Sequence, residues 1–136
     1  MNSTFVVNSS FHKKIKNLEV EVLGGVKGRL EDMAQTAVNL SPVDTGAYVT
    51  SFSYTVGAGR PRGKDSANRP TATAPEGQMA EGLDNLMQDI SRIKSIEDLD
   101  DIQLRNGSPH ADDVEYGEDW RREGYFVFAQ LRNIYG

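Results

Sequence analysis

Residues 41–56 read SPVDTGAYVTSFSYTV, and this stretch decides the architecture. Pro42 disfavours the helical conformation at Ser41, so a helix arriving from upstream must stop there. Asp44 and Thr45 carry oxygens that hydrogen-bond backbone groups in a turn, and Gly46 takes conformations that a Cβ resists. From Ala47 the chain alternates, with Tyr48, Thr50, Phe52, Tyr54 and Val56 on one side and Val49, Ser51, Ser53 and Thr55 on the other. That is the pattern of a half-buried strand with an aromatic face over residues 47–56. Pro42, Asp44, Thr45 and Gly46 therefore form a structural turn between a helix and a strand.

Upstream of the turn, Phe11, Ile15, Leu18, Val22, Val26, Leu30, Met33, Ala37 and Leu40 recur every three or four residues among Lys and Glu. This spacing predicts an amphipathic helix over about residues 10–40, capped by Ser9 or Ser10. Gly24, Gly25 and Gly28 interrupt it, each costing about 1 kcal/mol relative to Ala. Two readings offset that cost: a smooth surface that a neighbouring subunit or a sheet approaches closely, or a kink or break between shorter helices.

Downstream, residues 57–77 (GAGRPRGKDSANRPTATAPEG) lack any apolar period and read as a long mobile loop at the tip of an extended hairpin. Met79, Leu83, Leu86, Met87, Ile90 and Ile93 then predict a second helix over 78–94. Residues 101–105 alternate as a short strand ended by Asn106-Gly107. Residues 124–131 (GYFVFAQL) read as a last strand buried on much of both faces. Between them, 108–124 is irregular or holds one helical turn. The expected fold is α+β in one domain over 1–136: a long N-terminal helix on a mainly antiparallel sheet, a second shorter helix, and a long flexible hairpin loop.

Composition narrows the function. The chain of 136 residues carries a net charge of -5 and no cysteine. An acidic balance argues against general binding to a phosphate backbone, and the missing thiols remove disulfides, thiolate catalysis and cysteine-held metals. The N-terminal stretch lacks the continuous apolar core of a signal peptide, and no window suits a membrane span. Charge is nevertheless segregated. Arg60, Arg62, Lys64 and Arg69 mark the loop as basic, while Glu97, Asp98, Asp100, Asp101, Asp112, Asp113, Glu115, Glu118 and Asp119 follow later. The loop arginines and Lys64, with Gly24, Gly25 and Gly28, are the candidate subunit or partner contacts.

Catalytic readings are weaker. Val43-Asp44-Thr45-Gly46-Ala47 matches the Asp-Thr-Gly of a dimeric aspartic peptidase, in which two carboxylates share a proton. Such a site needs its Asp on a loop leaving a buried strand, whereas here a helix runs up to it. His110, Asp112, Asp113 and Glu115 lack a defined metal-ligand spacing, and Gly57-Ala58-Gly59 lacks the helix and the Lys-Ser/Thr pair of a phosphate loop. No metal, cofactor or catalytic residue is expected.

Two segments in order carry a family resemblance. The helix ending in Leu40-Ser41-Pro42-Val43-Asp44-Thr45-Gly46, followed at once by a strand, resembles the helix-to-strand junction of the neck and tail-completion proteins of long-tailed bacteriophages, also described as minor tail or head-tail connector components. Asn106-Gly107-Ser108-Pro109-His110-Ala111-Asp112-Asp113-Val114-Glu115-Tyr116-Gly117 is similar to that family's Asn, Pro-aromatic-Ala, Glu-Tyr-Gly segment, with Asn106, Pro109, Ala111, Glu115, Tyr116 and Gly117 as the matching positions. His110 departs from it, an aromatic such as Tyr being more usual there, as does the long basic loop. The resemblance implies a non-enzymatic virion protein assembled in the host bacterial cytoplasm. Its copies would form a hexameric or dodecameric ring between head and tail. Its partners would be neighbouring connector and tail proteins, with DNA passing only as cargo through the channel and no membrane contact. The other readings are the peptidase using Asp44 and an assembly chaperone absent from the virion.

Overall fold

The helix upstream of Pro42 is a single rod: α1 spans Ser9–Leu40, 32 residues and about 48 Å. The computed structural model describes residues 9–42, 48–62, 74–109, 111–118 and 122–136. Helical geometry continues through Gly24, Gly25 and Gly28, so the predicted break into two shorter helices does not occur. The helix ends as Pro42 requires: the Ser41 N–H reaches the Val38 carbonyl at 3.2 Å, and its hydroxyl donates to the Ala37 carbonyl at 2.6 Å.

The molecule is α+β. α1 packs with α2 (Pro75–Ser91) and α4 (Val127–Tyr135) about a two-stranded antiparallel sheet of β1 (Phe52–Val56) and β2 (Ile102–Asn106). The register sets Phe52 opposite Asn106 and Val56 opposite Ile102. A short helix, α3 (Ala111–Tyr116), leads into a two-residue hairpin of β3 (Gly117–Glu118) and β4 (Arg122–Glu123).

The core gathers Leu30, Ala34, Ala37 and Val38 of α1, Leu86 and Ile90 of α2, Ile93 just beyond it, Val127 and Leu131 of α4, and Phe52 of β1. Phe52 meets Tyr48 edge-on at 5.2 Å between ring centroids and Phe128 at 6.0 Å. Over residues 16–40 the α1 stripe is thus buried only from about Leu23 onward. Leu18 and Val22, expected on the core face, are 60% and 53% exposed, and Val20 is 69% exposed.

Four other expectations change. The strand expected from Ala47 begins only at Phe52, because Val49–Ser51 form a 3-10 turn that α2 presses against. α2 can approach there because Gly82 has no side chain: a Cβ would collide with the Val49 carbonyl oxygen. The strand is also not half-buried, since Ser53 and Thr55 are as covered as Phe52 and Tyr54. The cause is the segment after it. Residues 57–62, expected to be mobile, fold back over the outer face of the sheet, where Gly107 lies against the backbone of Arg62. Residues 75–77 are the first turn of α2, and β1 pairs with β2 across that helix rather than through a hairpin; residues 63–73 lie outside the described residues.

The fourth change is the largest. GYFVFAQL is not a strand: its second half is the start of α4. A continuous apolar run does not distinguish the two states. Val127 and Leu131, four apart, point into the core, and the Phe128 ring reaches Phe52, which suits a helix laid on α1. Tyr135 near its end fixes the contact, its hydroxyl 2.8 Å from that of Thr36 and its carbonyl accepting from Arg29 at 2.5 Å. Without this strand the sheet keeps two strands rather than the larger array expected.

Candidate functional site

The most organised polar cluster lies on the edge of β1 that faces away from β2. In this ladder Gly107 N–H bonds to the Ser51 carbonyl and Gly57 N–H to the Asp101 carbonyl, so the odd-numbered residues between them exchange bonds with β2. Phe52, Tyr54 and Val56 turn their backbone groups to the opposite edge. Two are met by side chains. The Arg62 guanidinium donates to the Phe52 carbonyl at 2.6 Å, and an Asp89 Oδ accepts from the Tyr54 N–H at 2.9 Å.

Arg62 and Asp89 also hold each other in a two-pronged ion pair, at 2.8 and 2.7 Å. The Arg62 N–H donates to the Ser53 hydroxyl at 2.8 Å, so one residue ties down the returning loop through both backbone and side chain. Asp89 is 7% exposed; Arg92 stands 3.8 Å from its carboxylate on the solvent side. Beside the pair opens a cavity of about 420 Å³ bounded by Ser53–Val56, Gly59, Arg60, Arg62, Arg92 and Asp98.

A second cluster builds on Asn106, whose amide donates to the Tyr48 carbonyl at 2.8 Å and whose carbonyl oxygen accepts from Ser108 N–H at 3.0 Å. Glu115 is buried at the far end of the same segment. Its carboxylate accepts the Phe128 N–H at 2.8 Å and the Ala129 N–H at 3.4 Å, satisfying amide donors that the first turn of α4 leaves open. The chain enters α4 through Phe126 in the left-handed conformation, φ 50°, held by a bond from its N–H to the Glu115 carbonyl at 3.1 Å. Burial raises the Tyr48 hydroxyl pKa, with Glu115 adding to the shift. Burial likewise raises that of Tyr54, helped by Tyr135 and Asp89. The Tyr54 hydroxyl donates to the Leu30 carbonyl at 2.7 Å, joining strand to helix.

These placements sort the expected site residues. Arg62 faces inward on Asp89, while Arg60 is exposed at the cavity. Lys64 and Arg69 lie outside the described residues, as do Asp44, Thr45, Gly46 and His110; of the turn, only Pro42 is described. Gly24, Gly25 and Gly28 face open space, with nothing within 4 Å of a Cβ added at any of them. Asn106 and Glu115 organise the backbone. Pro109 and Tyr116 are exposed, Ala111 opens α3 and Gly117 opens β3 at φ 90°. Asp89 was missed, although a carboxylate between Leu86, Ile90 and Ile93 on one helical stripe signals a buried partner.

Among the described residues no group of three or more His, Cys, Asp and Glu is placed to hold a metal ion, and no helix is long and apolar enough to cross a membrane. Comparison with protein-family models, with curated proteins and with solved structures gave no match.

Proposed function

We propose that this chain is a virion structural protein, a ring-forming neck or tail-completion subunit joining head and tail of a long-tailed bacteriophage around the DNA channel. It acts through shape and interfaces rather than catalysis. The observation that carries the reading is the stretch of α1 at residues 16–22, exposed throughout, with Leu18 and Val22 one turn apart on one face and Val20 exposed on another, on an otherwise polar chain. A surface of that kind marks an interaction site. The open flanks of Gly24, Gly25 and Gly28 on the same rod leave room for a neighbour to approach closely. The two phage-like segments, in order, support the assignment. Their members Asn106, half-buried, and Glu115, buried, brace the loops around the sheet and α4.

Electron microscopy of the purified protein and of phage particles tests the proposal. The expected result is a ring of this subunit around a central channel at the head-tail junction. A chain found in infected cells but missing from purified virions would instead identify an assembly chaperone. Asp44→Asn separates the peptidase reading, since a peptidase loses all turnover with its fold intact, whereas a turn residue changes stability or assembly and has no turnover to lose.

A further inference from the structure

We propose that the second half of the β1 edge is a docking site for an extended, acidic peptide segment of another protein, added beside β1 as a third strand. Arg62 and Asp89 close the first half of this edge by taking the Phe52 carbonyl and the Tyr54 N–H. One step further along, the Tyr54 carbonyl and the Val56 N–H point to the same side and meet no partner among the described residues. They flank Thr55 as one acceptor and one donor, which is what an added strand engages.

The edge opens into the 420 Å³ cavity, within the range of roughly 300–1,000 Å³ typical of ligand sites. Phe52–Val56 contains neither Pro nor Lys nor any inward charge to blunt the edge, and the open stretch ends at the Val56 carbonyl, which accepts the Gly59 N–H at 3.2 Å. The surrounding charges choose the occupant. Arg60, Arg62 and Arg92 line the cavity against the two carboxylates of Asp89 and Asp98, a net charge of +1. Arg60 and Arg92 are exposed at the rim, leaving it locally basic on a chain of net charge -5. A second copy entering by the same edge would set these arginines against their counterparts, a like-charge juxtaposition that disfavours it. An alternating acidic strand instead places its carboxylates toward the rim and its backbone on Tyr54 and Val56. This inference does not depend on the ring assembly.

The test uses the ¹⁵N-labelled full chain and a capped hexapeptide of alternating Glu and Val at about 1 mM, a concentration that detects contacts of millimolar affinity. Amide resonances of Thr55, Val56 and Gly57 should shift, and exchange of the Val56 amide with solvent should slow. The same peptide with Lys for Glu should bind about tenfold more weakly. R60E, which changes one exposed side chain and leaves the Arg62–Asp89–Arg92 cluster in place, should weaken binding of the Glu peptide at least about tenfold. Shifts confined to other surfaces, no shift at Val56, equal binding of the two peptides, or unchanged binding by R60E would each overturn the proposal.

Discussion

Arg62→Met should be among the most destabilising single changes available outside the hydrophobic core. It removes two hydrogen bonds from the Asp89 carboxylate, of 2.8 and 2.7 Å, and the 2.6 Å bond that satisfies the Phe52 carbonyl. Breaking a buried pair from one side costs about 3–5 kcal/mol, chiefly because the remaining charge stays desolvated. Two features place this case at the lower end. The Arg62 side chain is 23% exposed, and Arg92 lies 3.8 Å from the same carboxylate, so about 3 kcal/mol is expected. For a chain of 136 residues that is a fall in Tm of about 10 °C. Urea titration followed by far-UV circular dichroism measures it, and the loss should change little with salt because the pair is shielded from mobile ions. Asp89→Leu should cost a similar amount, and R62M/D89L at least about 1.5 kcal/mol less than the two singles added. Additive single effects, or a loss below about 1 kcal/mol for Arg62→Met, would refute the claim that this pair clasps the loop to the strand.

Gly82→Ala should cost about 2 kcal/mol by thermal melting, since its Cβ meets the Val49 backbone rather than a movable side chain. Gly24→Ala and Gly28→Ala should do the reverse and stabilise the isolated chain by about 0.5–1 kcal/mol each; light scattering of the assembled form then shows whether those flanks are contact surfaces, because assembly unaffected by both counts against that role. Glu115→Gln keeps the shape but weakens the hold on the Phe128 N–H, and should cost about 1 kcal/mol in the same melt, against about 2 for Glu115→Ala. Base should unfold the protein early. The Tyr48 and Tyr54 hydroxyls have folded-state pKa values raised above the unfolded value near 10, so the stability they supply is complete below about pH 10 and is lost as pH rises beyond it. A urea midpoint that stays flat from about pH 9 to 12, or a slope unaltered by Tyr54→Phe, would contradict this.

The helices were the legible part of this fold wherever one face was apolar and the end carried a mark. Pro42 set the end of α1 to within a residue, and Leu86, Ile90 and Ile93 announced α2. What failed did so because the deciding partner is remote in sequence. Val127 and Leu131 form a helix because α1 offers them a surface and Glu115 caps them, neither of which is visible in GYFVFAQL itself. Leu18 and Val22 continue the apolar period of α1 beyond the reach of the core, and periodicity does not say how far a partner extends. Arg62 was read as a surface charge for want of a view of Asp89, 27 residues away. The candidate site was therefore half legible: its basic character showed in the loop composition, but the division of labour between Arg60 at the rim and Arg62 in the clasp arose only from folding.

The bond from Arg29 to Tyr135 spans 106 positions of sequence, and it implies an order of events during synthesis. α1 leaves the ribosome long before α4, the helix that covers part of its second half. At about 5–20 residues per second, that face waits roughly 5–20 s for its last cover. α2 arrives midway and the β1–β2 clasp forms after it, so the nascent chain passes through a stage in which an amphipathic rod is only half wrapped. The abundance of Lys and Glu along α1 keeps such a rod in solution while it waits.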